Sequence, residues 1–245
     1  RVCTNFHTGG TTGMPKVAQH TYQGILYNAW VVHRVLLDET SVAMCPLPMF
    51  HVFAAVIIMG GAISSGAQIV FPTPAGYRGD GVFDNFWKLC ERHKITFLIG
   101  VPTAFAALMQ RPVNADLSSM KMAFSGSAPL PVELFRKFEK TTGMTISEAY
   151  GLTEATCGVA ANPPDGEKKV GSVGFSLPYT DVKILMGTAD GVKDCATDEI
   201  GEICISSPGV FVGNTYTEAD KNADLYHMIG NAGYLRTGDL GRIDA

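Results

Sequence analysis

Apolar positions along the chain fall into short runs with two different periods. Val2 to Phe6 is a run of branched and apolar residues and predicts a short strand. Tyr22 to Leu37 carries Ile25, Leu26, Ala29, Trp30, Val32, His33, Leu36 and Leu37 at helical spacing and predicts a helix. Val52 to Phe71 carries no charge over 20 residues, about the length that spans a bilayer. Gly60-Gly61, Ser64-Ser65-Gly66 and Gln68 interrupt it, so a buried helix, a turn and a core strand through Ile69-Val70-Phe71 are predicted instead.

A helical stripe follows at Val82, Phe83, Phe86, Leu89, Cys90 and His93, then a strand at 95–100 and a helix from Pro102 through Met109. The unit recurs as a strand near Met122 to Phe124, the turn "SGSAPL", a helix near Val132 to Thr141 and a strand near Thr145 to Glu148. Strands alternating with helices predict an α/β fold with a parallel-rich sheet flanked by helices, whose ligands sit beyond the carboxyl ends of the strands. From about Lys169 the rhythm changes to short strands separated by Gly, Pro, Asp and Ser, which predicts a C-terminal β-rich subdomain. The seam is expected near "NPPDGEKK", 162–169, giving an α/β portion at 1–165 and a β-rich portion at 166–245, with 1–38 a candidate tail of a preceding sheet subdomain.

Composition narrows the function. With 245 residues, 46% apolar and 17% charged, the chain can bury a substantial core. Its net charge of -4 comes without a long basic run, which argues against a nucleic-acid partner. Six cysteines, at 3, 45, 90, 157, 195 and 204, show no C-x-x-C pair and no histidine at zinc-ligand spacing. They read as reduced thiols of a cytoplasmic protein with no structural metal and no transmembrane segment.

Candidate chemistry concentrates in "HTGGTTGMPK", His7 to Lys16, a glycine- and threonine-rich loop expected between a strand and a helix. Such a loop is either a plain turn or a place where backbone N–H groups converge on an anion. The Walker pattern fails, because Lys16 follows Pro15 and precedes Val17.

Together with "EAYGLTEAT" at 148–156 and "YLRTGDLGRID" at 234–244, the loop resembles the adenylate-forming (AMP-binding) enzymes, in their acyl-CoA synthetase branch. "PLPMFHVFA" at 46–54 and "SGSAPLP" at 125–131 lie between them in family order, so the resemblance covers almost the whole chain. It implies the family's large-domain fold, with a distorted barrel-like β-rich subdomain, and activation of a carboxylic acid by ATP and Mg²⁺ to an acyl-adenylate that passes to coenzyme A. On that resemblance Thr8, Gly9, Gly10, Thr11, Thr12, Gly13 and Lys16 cradle the phosphates, Thr153 bonds the α-phosphate, and Glu154 holds Mg²⁺. Lys16, Thr153 and Glu154 are the expected catalytic groups. Tyr150 and Gly151 lie against adenine with Ser127 and Ala128, Asp239 takes the ribose hydroxyls of ATP or AMP, and His51 walls the acyl pocket.

The chain departs from the pattern at Gly9, where serine is usual, at Val17, where glycine is usual, and at Tyr234, where tryptophan is common. The resemblance also implies a preceding segment and a following lobe with a catalytic lysine. The chain is therefore expected to be an internal fragment of the large domain, inactive alone and prone to self-association through uncovered apolar surface. Met49 to Val56 contains no acid to pair a substrate ammonium, which favours a fatty or aryl acid. The alternatives are an amino-acid adenylation domain of a carrier-protein assembly line and a nucleotide-binding module without catalysis.

Overall fold

A computed structural model describes residues 1–8, 15–189 and 191–245. The chain divides into two compact units: residues 1–27, 152–159 and 176–245 form the first, and residues 28–151 and 160–175 the second.

In the first unit, β1 (Val2–His7) and β2 (Val17–Thr21) form an antiparallel hairpin in which His7 pairs with Val17. This corrects the expected strand, loop and helix: the glycine-rich loop joins two strands, and α1 (Tyr22–Val35) begins directly after β2. β2 is five residues long and includes Gln19, His20 and Thr21, so it lacks the apolar run that marks a strand. Alternation still governs it, since Ala18 and His20 are buried while their neighbours are half-exposed. Along α1, Tyr27, Ala29, Val31 and Val32 are buried, whereas Leu26 and Trp30, counted above among the apolar positions of the helix, are exposed.

The second unit is a parallel sheet with helices, as the alternating pattern predicts. Its strands are β3 (Val42–Met44), β4 (Gln68–Val70), β5 (Phe97–Gly100), β6 (Met122–Ser125) and β7 (Ile146–Leu152), in the order β4-β3-β5-β6-β7. All neighbours in that run are parallel. The order continues through β8 (Cys157–Ala161) and β9 (Phe175–Ser176).

The uncharged run at 52–71 folds as a π-helical stretch at Phe53–Gly60, then α2 (Gly61–Ser65), then β4; the expected core strand is instead an edge strand, with Ile69 and Val70 half-buried and Phe71 exposed. Gly66, in the left-handed region at φ 69°, ends α2 where a side chain would be strained. Among the described residues no helix is long and apolar enough to cross a membrane.

α3 (Val82–His93), α4 (Pro102–Leu108) and α5 (Val132–Thr142) supply the apolar cover. Phe86, Phe105 and Phe138 are fully buried, with Phe105 and Phe138 edge to face at 5.3 Å, and each such ring contributes roughly 2–3 kcal/mol of burial. On α3 the buried set is Val82, Phe86, Trp87 and Cys90, so Trp87 faces the core in place of His93.

The rest of the first unit is an antiparallel sheet of β10 (Asp181–Thr188), β11 (Gly191–Asp194), β12 (Gly201–Ser206), β13 (Tyr226–Ile229) and β14 (Ala232–Gly241), in the order β11-β10-β12-β14-β13. The expected seam at 162–169 differs from the observed division because the hairpin binds this end of the chain. Gln19 N–H donates to Thr215 O at 2.7 Å, Thr217 N–H donates to Val17 O at 3.0 Å, and Ala18 bridges Tyr216.

Candidate functional site

In the first unit, Thr8 is buried and its N–H donates to Lys16 O at 2.9 Å, closing the base of the hairpin. Gly9, Gly10, Thr11, Thr12 and Gly13 lie outside the described residues. The exposed Lys16 places its ammonium 4.7 Å from the centre of the Tyr216 ring, within cation–π range. The Tyr216 hydroxyl donates to Oε1 of Glu154 at 2.6 Å. Thus one buried aromatic ring carries a cation on its face and a carboxylate at its tip. Burial, followed by the bond to Glu154, pushes the Tyr216 hydroxyl far above its ordinary pKa, so it remains a donor.

Glu154 sits in a single turn, Thr153–Ala155, between β7 and β8, with Thr153 buried beside it. Thr156 N–H donates to Thr153 O at 3.0 Å, and Thr156 and Cys157 then take positive φ values of 58° and 105°. That backbone is costly for residues with a Cβ and persists because Thr156 is tied down: its hydroxyl donates to Gly209 O at 2.6 Å. Mg²⁺ is a hard cation that prefers oxygen, and Glu154 fits it: among the described residues no hydrogen bond reaches Oε2.

Asp239 is exposed on β14, just after Gly238, whose φ is 76°. Thr237 fixes this turn, its hydroxyl donating to Ile203 O at 2.8 Å and accepting from Asp239 N–H at 3.0 Å. Gly238 N–H donates to Glu202 Oε1 at 3.1 Å. Tyr234, the aromatic exchange noted above, donates to Asp181 Oδ2 at 2.5 Å, a bond tryptophan's indole would make differently.

In the second unit, Ser125 pairs with Glu148, so the turn holding Ser127 and Ala128 and the strand end holding Tyr150 and Gly151 emerge side by side at the carboxyl ends of β6 and β7. Ser127 and Ala128 are exposed, and Ser127 has φ 68°, strained for serine. Glu148 anchors this turn from below: its Oε1 accepts Leu130 N–H at 2.9 Å and its Oε2 accepts Gly171 N–H at 3.3 Å. Gly126 lies close beneath Phe53: an added Cβ would stand 3.0 Å from that ring, which would have to give way.

His51 is half-buried, and burial lowers its pKa. Its Nδ1 accepts Phe53 N–H at 3.2 Å, capping the start of the π-helical stretch and leaving the proton on Nε2. The structure therefore gives Thr8, Lys16, Thr153, Glu154 and Asp239 to the first unit, and His51, Ser127, Ala128, Tyr150 and Gly151 to the second. Two supporting residues carried no sequence signal. Glu148 stands in a quoted motif without a role, and Tyr216 lies in "GNTYT", which has no feature beyond an aromatic among turn residues.

One parallel sheet with helices and one antiparallel sheet are the two sheets of an adenylate-forming enzyme's large domain. The chain belongs to the AMP-binding enzyme family, whose model matches residues 1–214. It is 37% identical to the marinolic acid–CoA ligase of Pseudoalteromonas sp. (strain SANK 73390) over 98% of this chain and 37% of that protein. It is 36% identical to the long-chain-fatty-acid–CoA ligase of Bacillus subtilis (strain 168) over 97% of this chain and 41% of that protein. The fold matches the crystal structure of ATP-bound MatB from Rhodopseudomonas palustris with a TM-score of 0.86 at 29% identity, covering 98% of this chain and 45% of that one. It also matches the O-succinylbenzoate coenzyme A synthetase MenE of Bacillus subtilis, in complex with ATP and magnesium ion, with a TM-score of 0.80 at 25% identity, covering 98% of this chain and 47% of that one. The chain thus spans less than half the length of each of these relatives.

Proposed function

We propose that this chain is the nucleotide-binding part of an ATP-dependent acyl-CoA synthetase, which activates a fatty or aryl acid as acyl-AMP and passes it to coenzyme A. The observation that carries the reading is the pair of opposite charges held on one ring, Lys16 on the face of Tyr216 and Glu154 at its hydroxyl. Polyphosphate with its cation needs both: an ammonium for phosphate oxygens and a carboxylate for the metal. When bound, Mg²⁺ neutralises phosphate charge and makes pyrophosphate a better leaving group.

The chain's own residues supply the rest. Lys16 and the Thr8 segment take phosphate oxygens, and Thr153 donates to the α-phosphate as negative charge moves onto it. Asp239 accepts the ribose hydroxyls, and Tyr150 with the Ser127–Ala128 turn holds the base. His51, with its proton on Nε2, presents a donor beside the apolar Phe53 stretch, where the acid's carboxylate and tail would lie. Its relatives' names support CoA as the acceptor. Free cysteines at all six positions support a reducing compartment, the cytoplasm.

Pyrophosphate exchange by the full-length protein, assayed across fatty, aryl and amino acids, tests the reading. Exchange with fatty or aryl acids is expected. Exchange confined to amino acids would transfer the chain to the carrier-protein alternative.

A further inference from the structure

We propose that Tyr216 is a positioning residue that makes Glu154 a one-oxygen ligand and so tunes the site to Mg²⁺ over Ca²⁺. The inference rests on the nucleotide-binding reading above and deepens it, giving the Tyr216 hydroxyl a task of its own.

The ring of Tyr216 cannot drift. Its residue is 4% exposed, and its backbone is held from two sides. Asn222 Oδ1 accepts Tyr216 N–H at 2.9 Å, while Tyr216 O accepts from Asn222 Nδ2 at 3.0 Å and from Gln19 Nε2 at 3.2 Å. From this fixed base the hydroxyl reaches Oε1 of Glu154 at 2.6 Å, a short, charge-assisted bond. With Oε1 engaged, Oε2 is the oxygen that would be left to hold a cation. Mg²⁺ demands near-octahedral geometry and takes carboxylates through one oxygen while keeping its waters, whereas Ca²⁺ accepts two-oxygen coordination at longer distance. A carboxylate with one oxygen occupied therefore suits the smaller ion. The ring face has a separate task, as a shelf for the Lys16 ammonium.

Two substitutions separate these roles. Tyr216→Phe removes the hydroxyl and keeps the ring; Tyr216→Leu removes both. The readout is ATP affinity by calorimetry on the full-length protein, in chelator, in Mg²⁺ and in Ca²⁺, with Tm as the folding control. Partners of metal ligands typically control metal affinity by ~10-fold or more, so Tyr216→Phe is expected to lose about tenfold of the tightening by Mg²⁺. Its affinity in chelator and its response to Ca²⁺ are expected to stay level or rise. Tyr216→Leu is expected to weaken binding in chelator as well, because Lys16 loses its shelf. Glu154→Asp, which withdraws the carboxylate from the hydroxyl but keeps its charge, is expected to match Tyr216→Phe.

Unchanged Mg²⁺ tightening in Tyr216→Phe, alongside its loss in Glu154→Gln, overturns the positioning role and leaves the nucleotide-binding reading standing. Equal loss for Mg²⁺ and Ca²⁺ overturns the selectivity. Absence of saturable ATP binding by the unsubstituted protein overturns both.

Discussion

Nδ1 of His20 donates its proton to Oγ1 of Thr156 at 3.0 Å, because the Thr156 hydroxyl spends its own proton on Gly209 O. The imidazole is 1% exposed and its Nε2 has no partner among the described residues, so it is neutral, with burial pulling its pKa down to about 4. Through Thr156 this buried ring supports the positive-φ turn that follows Glu154.

Stability should follow the protonation of His20. Its folded pKa, about 4, lies below the ordinary 6.5, so as pH falls the unfolded chain takes up the proton first. The contribution is complete above about pH 6.5 and is lost as pH falls towards about 4, by at most ~3 kcal/mol. Denaturant titrations across that window check it. His20→Gln, which cannot titrate, should flatten the slope; an unaltered slope would assign the acid sensitivity elsewhere.

Gly61 lies against Val32, where an added Cβ would come within 2.3 Å of Cγ1. Alanine normally gains about 1 kcal/mol over glycine inside a helix. Here overpacking should win and Gly61→Ala should cost roughly 1–3 kcal/mol, read as a lowered denaturation midpoint. A raised midpoint would mean that Val32 yields freely.

Glu148 is 8% exposed and accepts two backbone N–H groups, from Leu130 and Gly171. Glu148→Ala leaves both donors without that partner and should cost about 1–3 kcal/mol per stranded group. Hydrogen exchange should show faster exchange at the Leu130 amide. Glu148→Gln, which retains one acceptor oxygen, should protect only one of the two amides.

The α/β unit was legible because its helices are long, periodic and punctuated: Pro102 at a helix start and Gly66 at a helix end appear as written. β2 was not legible, since its five residues alternate around polar Gln19 and His20 and gain their pairing from β1 and from residues 215–217. Extended pairing of that kind is tertiary, and no local pattern encodes it. β7 likewise runs to Leu152, past the expected end at Glu148, because Gly151 reads as a break in sequence yet continues a strand. Of the candidate site, Lys16, Glu154 and Asp239 could be named from motifs. Tyr216, which joins two of them, lies 62 residues from Glu154 and is found only through the hydrogen bond.

The most direct test of the account follows oxygen. A carboxylic acid labelled with a heavy oxygen isotope in its carboxylate is incubated with the full-length protein, ATP, Mg²⁺ and coenzyme A, and the products are weighed by mass spectrometry. Attack by the carboxylate on the α-phosphorus leaves one labelled oxygen in AMP when the thiol displaces it. Labelled AMP, unlabelled pyrophosphate and an acyl thioester are the expected products. Label in inorganic phosphate with ADP as coproduct would show attack at the γ-phosphorus and would contradict attack at the α-phosphorus.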